Sequence, residues 1–439
     1  MTDEQRDRLE LDDSTPRVVI FTMMKIIFPF LFMALLFSCQ RQELVDEPWL
    51  PLDTRADYLR AIEQLNLAET YIGAQWIAAG EAALRDPTDV EAPLEEVFVL
   101  EADRPSAVGY RFPARRGRRI TIEIDGEIDD FFADVYRVEA DSPDPVPVAS
   151  MPEGERTIVF EPRRDNYYIL RIQPELLRGG RLTVRFSARA ALTFPVEGVG
   201  AEAILSFYGD NRDGGARYHE GIDIFAPRGT PLLAASDGVV FRVGWRDRGG
   251  NIVSLRDDQR DLLLYYAHLD EQLVEEGQRV SAGDVIGTVG NTGNAIFTPP
   301  HLHIGVYQGG WRGSVDPWEF FVDPPVVDPV APPQEKMELL GGWFVLEESL
   351  SVDRAVPPPE MAVRVMNRNP FLNLGPSVRT ETGLHQIPPP LPREEVIPAG
   401  TAVQIAGLTG TRMRVRTPSG EEWITESAVL EVLSPLPGG

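Results

Sequence analysis

The stretch TPPHLHIGVY (298–307) sets His301 and His303 one residue apart among strand-forming residues, in a chain of 439 residues with only 5 histidines. Residues two apart on a strand project from one face, so an extended reading turns both rings the same way. A second stretch, YHEGIDIFAP (218–227), carries His219 and, four residues later, Asp223. If it is extended, that pair shares a face too. Gly221 then lies between them and leaves room for an ion or a substrate backbone to approach. Two such strands side by side offer two imidazoles and a carboxylate to one ion, with water in the remaining position. That is the donor set of a catalytic zinc site rather than a closed structural one. Zinc acidifies its bound water and polarises a carbonyl. Each motif is common alone, and their joint occurrence in a histidine-poor chain carries more weight. A fourth histidine, His268, sits nearby in LLLYYAHL (262–269). His385 lies in a proline-flanked, loop-like stretch and reads as incidental.

Around these motifs the landmarks continue. RYHEGIDIFAPRGTPLLAASDGVV (217–240), then LLLYYAHLDEQLVEEGQRVSAGDVIGTVGNTGNA (262–295), then PPHLHIGVY (299–307) resemble the lysostaphin-type, LytM-like zinc endopeptidases of bacterial cell walls. The resemblance spans nearly all of 203–320. It implies a compact antiparallel β-domain with a narrow groove and zinc held by His219, Asp223 and His303. It further implies that His268 and His301 do not bind the metal. They flank the water and the scissile carbonyl, one helping to deprotonate the nucleophile and the other stabilising the tetrahedral intermediate; both roles need proton chemistry near neutrality. The chain departs from the family where a short TG-PHLH is usual and it reads NTGNAIFTPPHLH (291–303), so a few extra residues border the site. Tyr218, Asn291 and Asn294 are candidates for the groove lining.

The rest of the chain reads as a mainly β, multidomain protein. An apolar run, IIFPFLFMALLF (26–37), follows Lys25 and ends in LFSC, with Cys39 the only cysteine. Twelve apolar residues suit the core of a signal peptide better than a bilayer span. The segment 1–39 resembles a bacterial lipobox, with Cys39 as the lipid anchor and Phe37 bulkier than is usual there. The acidic prelude 1–22 is unlike a signal's basic start, which suggests initiation at Met23 or Met24. Residues 40–94 read as a tether and a helix. Thr54 is the expected N-cap, Asp57 reaches back, and Leu59, Ile62, Leu65, Ile72 and Trp76 form an apolar stripe ending near Asp86 and Pro87. Residues 95–190 alternate like a small antiparallel β-sandwich, with Ile120, Ile122 and Ile124 on one face. The metallopeptidase segment covers 196–322. A proline-rich spacer (323–337) follows, and 338–435 resembles a small bacterial SH3-like barrel through FLNLGPSVRTE, IPAGTAVQIAG and MRVRTPSGEEWITESAVL, with Leu374 where arginine is usual.

A formal charge of −26 opposes nucleic-acid binding, which needs a basic footprint. These features predict a membrane-tethered zinc endopeptidase that cuts stems or cross-links of peptidoglycan, in the cell envelope and facing the periplasm or exterior. Gln40 after the cysteine leans towards the outer membrane. The competing expectation is a non-hydrolytic or gated regulator of other wall hydrolases, and a protein regulator is a possible partner in either case.

Overall fold

A computed structural model describes residues 54–353 except 140, 141, 143, 310–312 and 326–327, then 395–426 except 411, and 433–435. Cys39, the apolar run before it, His385 and FLNLGPSVRTE lie outside the described residues.

The expected single helix is two. The first, Thr54–Gln64, ends where Asn66 takes a left-handed conformation (φ 57°), and the second, Tyr71–Arg85, restarts behind Thr70. Thr70 is an N-cap whose hydroxyl accepts from Gly73 N at 3.1 Å. The break turns Leu65 outward, while Ile62 and Trp76 remain buried. Asp57 pairs with Arg60. Trp76 anchors the second helix on the sandwich: its indole N–H donates to Pro174 O at 2.7 Å, and Gln173 donates to Trp76 O at 2.6 Å.

The sandwich packs a five-stranded sheet (Thr88–Asp89, Val108–Ala114, Asn166–Pro174, Phe131–Arg137, Val146–Ser150) on a second sheet. Ile120, Ile122 and Ile124 point into the core between them. The second sheet does not end at the sandwich. Its strand Leu94–Leu100 pairs on one side with Gly180–Ala190 and on the other with Ala402–Thr409 from the C-terminal segment, in the register Val97 to Leu408. Arg412–Arg416 and Glu422–Glu426 extend it further. The C-terminal strands keep a small core of their own around Val403, Ile405, Met413 and Trp423. They cover an edge that would otherwise present unpaired backbone groups. The proline-rich spacer therefore leads back to the sandwich rather than away from it.

Between the sandwich and the spacer lies the domain that holds the histidines. Its main sheet is antiparallel, in the order Ile204–Ser206, Ile222–Phe225, His301–Gln308, Leu262–Leu269, Gly250–Asp257, Gly238–Arg246 and Arg279–Val280. One face is dry: Ile222, Ile224, Leu264, Tyr266, Leu302 and Ile304 are fully buried there. Arg260 ties the domain to the sandwich through Glu161 at 2.6 Å, and Leu192 N donates to Phe320 O at 3.0 Å. Among the described residues no helix is long and apolar enough to cross a membrane.

Candidate metal centre and its groove

Register builds the site. Asp223 lies opposite His303, and Phe225 opposite His301, while the strand Leu262–Leu269 brings Ala267 against His303 from the other side. Because successive residues alternate faces, the isoleucines and Leu302 that fill the core fix Asp223, His301 and His303 on the opposite face. A slip of one residue would exchange the two sets. His301 and His303 thus share a face as a strand requires. His219 reaches the site differently. The strand begins at Ile222, and His219 sits in the bend before it, held by its N–H on Asp210 O and its carbonyl on Gly209 N, both at 2.8 Å. Gly221 is needed for a close approach, but not by an ion. A Cβ there would lie 2.4 Å from Ile304 O and 2.8 Å from Cε1 of His303, so the glycine makes room for the histidine ring.

Three ligand atoms converge. His219 Nε2 is 2.9 Å from His303 Nδ1 and 3.1 Å from Asp223 Oδ1, and His303 Nδ1 is 3.0 Å from the same oxygen. Donor atoms bound tetrahedrally at about 2.0–2.1 Å lie roughly 3.3 Å apart, so this triangle is within a few tenths of an ångström of a zinc site's face. Two imidazoles and a carboxylate are also the right donors. The carboxylate and His303 are shifted in the directions a metal needs. Burial works to raise the Asp223 carboxyl, but the facing nitrogens of His219 and His303 outweigh it and hold the group well below the usual carboxylate range. Burial lowers His303, against the opposing pull of Asp223. An ionised carboxylate and neutral imidazoles are what a metal requires.

Backbone carbonyls set the ring tautomers, because a carbonyl can only accept. Nδ1 of His219 donates to Phe207 O at 2.8 Å, leaving Nε2 as the donor atom of the triangle. His268 Nδ1 donates to Thr292 O and His301 Nδ1 to Pro299 O, each at 2.9 Å. Each of these two rings keeps Nε2 as its basic nitrogen, and both line the cleft of about 440 Å³ over the triangle. Their ring centroids are 5.0 Å apart. Burial and the charges of His303 and His301 lower His268 to about 4, so it is neutral at neutral pH. His268 has φ of 68°, a conformation costly for a residue with a Cβ. Its N–H bond to Gly249 O at 2.7 Å and its ring bond to Thr292 hold it there.

Of the predicted groove residues, Asn294 lines the cleft, while Tyr218 is 63% exposed outside the lining. Asn291 instead ties the loop, accepting from Arg228 and donating to Thr298 O at 3.2 Å. The extra residues before HLH form one wall through Ala295 and Thr298, and leave Phe297 96% exposed beside it. Sequence reasoning missed Phe225, whose ring stacks on His301 at 4.9 Å, and Arg212, which donates to Asp223 Oδ2 at 2.9 Å. Alternation from Asp223 marks Phe225 in retrospect. Nothing in the local pattern marks Arg212.

Residues 217–317 match the model of Peptidase family M23, so the chain carries an M23 peptidase domain. The L-Ala--D-Glu endopeptidase of Bacillus subtilis is 42% identical over 123 residues, 26% of this chain and 37% of that protein. Peptidoglycan DD-endopeptidase ShyC of Vibrio cholerae is 43% identical over 90 residues, 20% of each chain. Uncharacterized lipoprotein YgeR of Escherichia coli is 48% identical over 110 residues, 25% of this chain and 40% of that one. The chain therefore spans between a fifth and two fifths of the length of these relatives.

Proposed function

We propose that this chain, through its M23 domain, is a zinc-dependent endopeptidase that hydrolyses peptide bonds in peptidoglycan stems or cross-links. The observation that carries the reading is the buried triangle of His219, Asp223 and His303 with two further imidazoles beside it. Zinc, when bound by those three residues, supplies an acidified water and a Lewis acid for the scissile carbonyl. The chain's own residues do the rest. His268 and His301 present Nε2 to the cleft, one to take the proton of the attacking water and pass it to the leaving amine, the other, once it carries a proton on Nε2 as well, to donate to the oxygen that gains charge. The carbonyls of Thr292 and Pro299 hold Nδ1 of each ring and leave Nε2 to the cleft. Two of the relatives are named endopeptidases and a third a lipoprotein, which supports an envelope location with Cys39 as the lipid anchor.

The test is to incubate purified protein from residue 40 onward with defined cross-linked peptidoglycan, with and without a chelator, and to read the products by mass spectrometry. Chelator-sensitive loss of cross-linked dimers is expected, and the product masses name the bond. Zinc-loaded protein that leaves the dimers intact would overturn the reading in favour of a regulator.

A further inference from the structure

Arg212 lies in the short strand Asn211–Arg212, which forms a hairpin with Arg217–Tyr218 and so feeds the chain directly into His219. Its Nη2 donates to Asp223 Oδ2 at 2.9 Å and also to Ser206 Oγ. The two oxygens of Asp223 thus have separate partners: Oδ1 faces both histidines of the triangle, and Oδ2 faces the guanidinium. The same few residues bind the other side of the triangle. Ser206 Oγ donates to Asp210 Oδ2 at 3.1 Å and lies 3.3 Å from Nδ1 of His219, and Ser206 stands opposite Asp223 in the sheet. Asp210 in turn accepts from the His219 N–H at 2.8 Å through its carbonyl.

We propose that Arg212 is a positioning residue of the metal centre: it holds Asp223 as a one-oxygen ligand and couples its orientation to that of His219. The inference rests on the zinc reading given above. A carboxylate free of Arg212 can turn and offer both oxygens to an ion, raising the coordination number and occupying the position that water needs. A hydrogen-bonded oxygen cannot. The guanidinium charge by itself repels a cation, but the carboxylate it pairs with neutralises it, so the lost orientation dominates when the arginine is removed. Lysine keeps the charge on a flexible stem without the rigid guanidinium plane that aims Nη2 at Ser206 and Asp223, and is an incomplete substitute.

The experiment measures zinc affinity of the full chain by competition with a chromophoric chelator, with circular dichroism to report the fold. Wild type, Arg212→Ala, Arg212→Lys and Arg217→Ala are compared. Arg217 lies on the same hairpin and pairs with Asp213 at 2.5 Å. Arg212→Ala should bind zinc about 10- to 100-fold more weakly, Arg212→Lys should lie between it and wild type, and Arg217→Ala should match wild type. In the cobalt-substituted protein, Arg212→Ala should lose visible absorption intensity as the coordination number rises, a change that loose folding alone would not produce in a protein with native circular dichroism. Equal zinc affinity and equal cobalt spectra in wild type and Arg212→Ala would overturn the role of Arg212. Wild type that binds no zinc would instead overturn the zinc reading itself.

Discussion

His268 shows how much one residue's surroundings decide. Its ring is buried beside two other imidazoles, and burial with their charge lowers it to about 4. Between that value and the ordinary 6.5 the unfolded chain binds a proton that the native chain refuses, so stability rises with pH across the window and is fully present above 6.5. Asp316 acts oppositely. Burial raises its carboxyl to about 6, so its contribution falls as pH rises from 3.8 to 6. The net profile mixes both groups, and a difference isolates one. Urea titrations of chelated wild type and His268→Gln at pH 5 and pH 7 should show wild type losing more stability on acidification. Equal losses would mean that His268 is not held neutral. Neutrality is what the ring that takes the water's proton needs, since a protonated ring could not accept it.

At the scale of elements, the strands of the site were legible and the bend was not. Alternation in HLHIGVY gives both the core face, Leu302 and Ile304, and the site face, His301 and His303, because a period of two leaves no third choice. His219 follows no such period. It is placed by hydrogen bonds to Asp210 and Gly209 across a turn, so the extended HxxxD reading named a pair that the fold brings together, but by way of a strand that starts two residues after Glu220. Asn66 broke the predicted helix for a similar reason: the apolar stripe predicts helix on either side of it but carries no information about one left-handed residue. Nor could any local pattern foresee strand Ala402–Thr409 joining Leu94–Leu100, a pairing between ends of the chain. The loop before HLH was legible as an insertion, and its tip makes a prediction. Phe297 is almost fully exposed at the cleft's wall, so Phe297→Ala should change stability by no more than about 0.5 kcal/mol. It should raise KM for a peptide substrate several-fold while kcat stays near wild type. An unchanged KM would remove the loop tip from substrate binding.

At the scale of the whole molecule, the described C-terminal strands and the sandwich share a sheet and a buried ion pair. Arg414 donates to both oxygens of Glu96 at 2.8 Å, with the two side chains 1% and 0% exposed, and also to Thr88 Oγ1 at 2.7 Å. Removing one partner leaves a buried charge alone, at a cost of about 3–5 kcal/mol. Arg414→Ala should therefore lower the urea stability of the sandwich by that amount, and a loss under about 1 kcal/mol would mean that the two segments do not share this contact in solution. The sandwich in turn contacts the peptidase domain through the Arg260–Glu161 pair. The central claim, that three residues hold zinc while two others work on the substrate, is tested most directly by zinc stoichiometry and peptide-bond cleavage in His303→Ala, His301→Ala and His268→Ala. The account predicts no stoichiometric zinc in His303→Ala, full zinc in the other two, and turnover reduced about 10²-fold or more in all three. Zinc lost equally from His301→Ala and His303→Ala, or turnover retained without either His268 or His301, would contradict it.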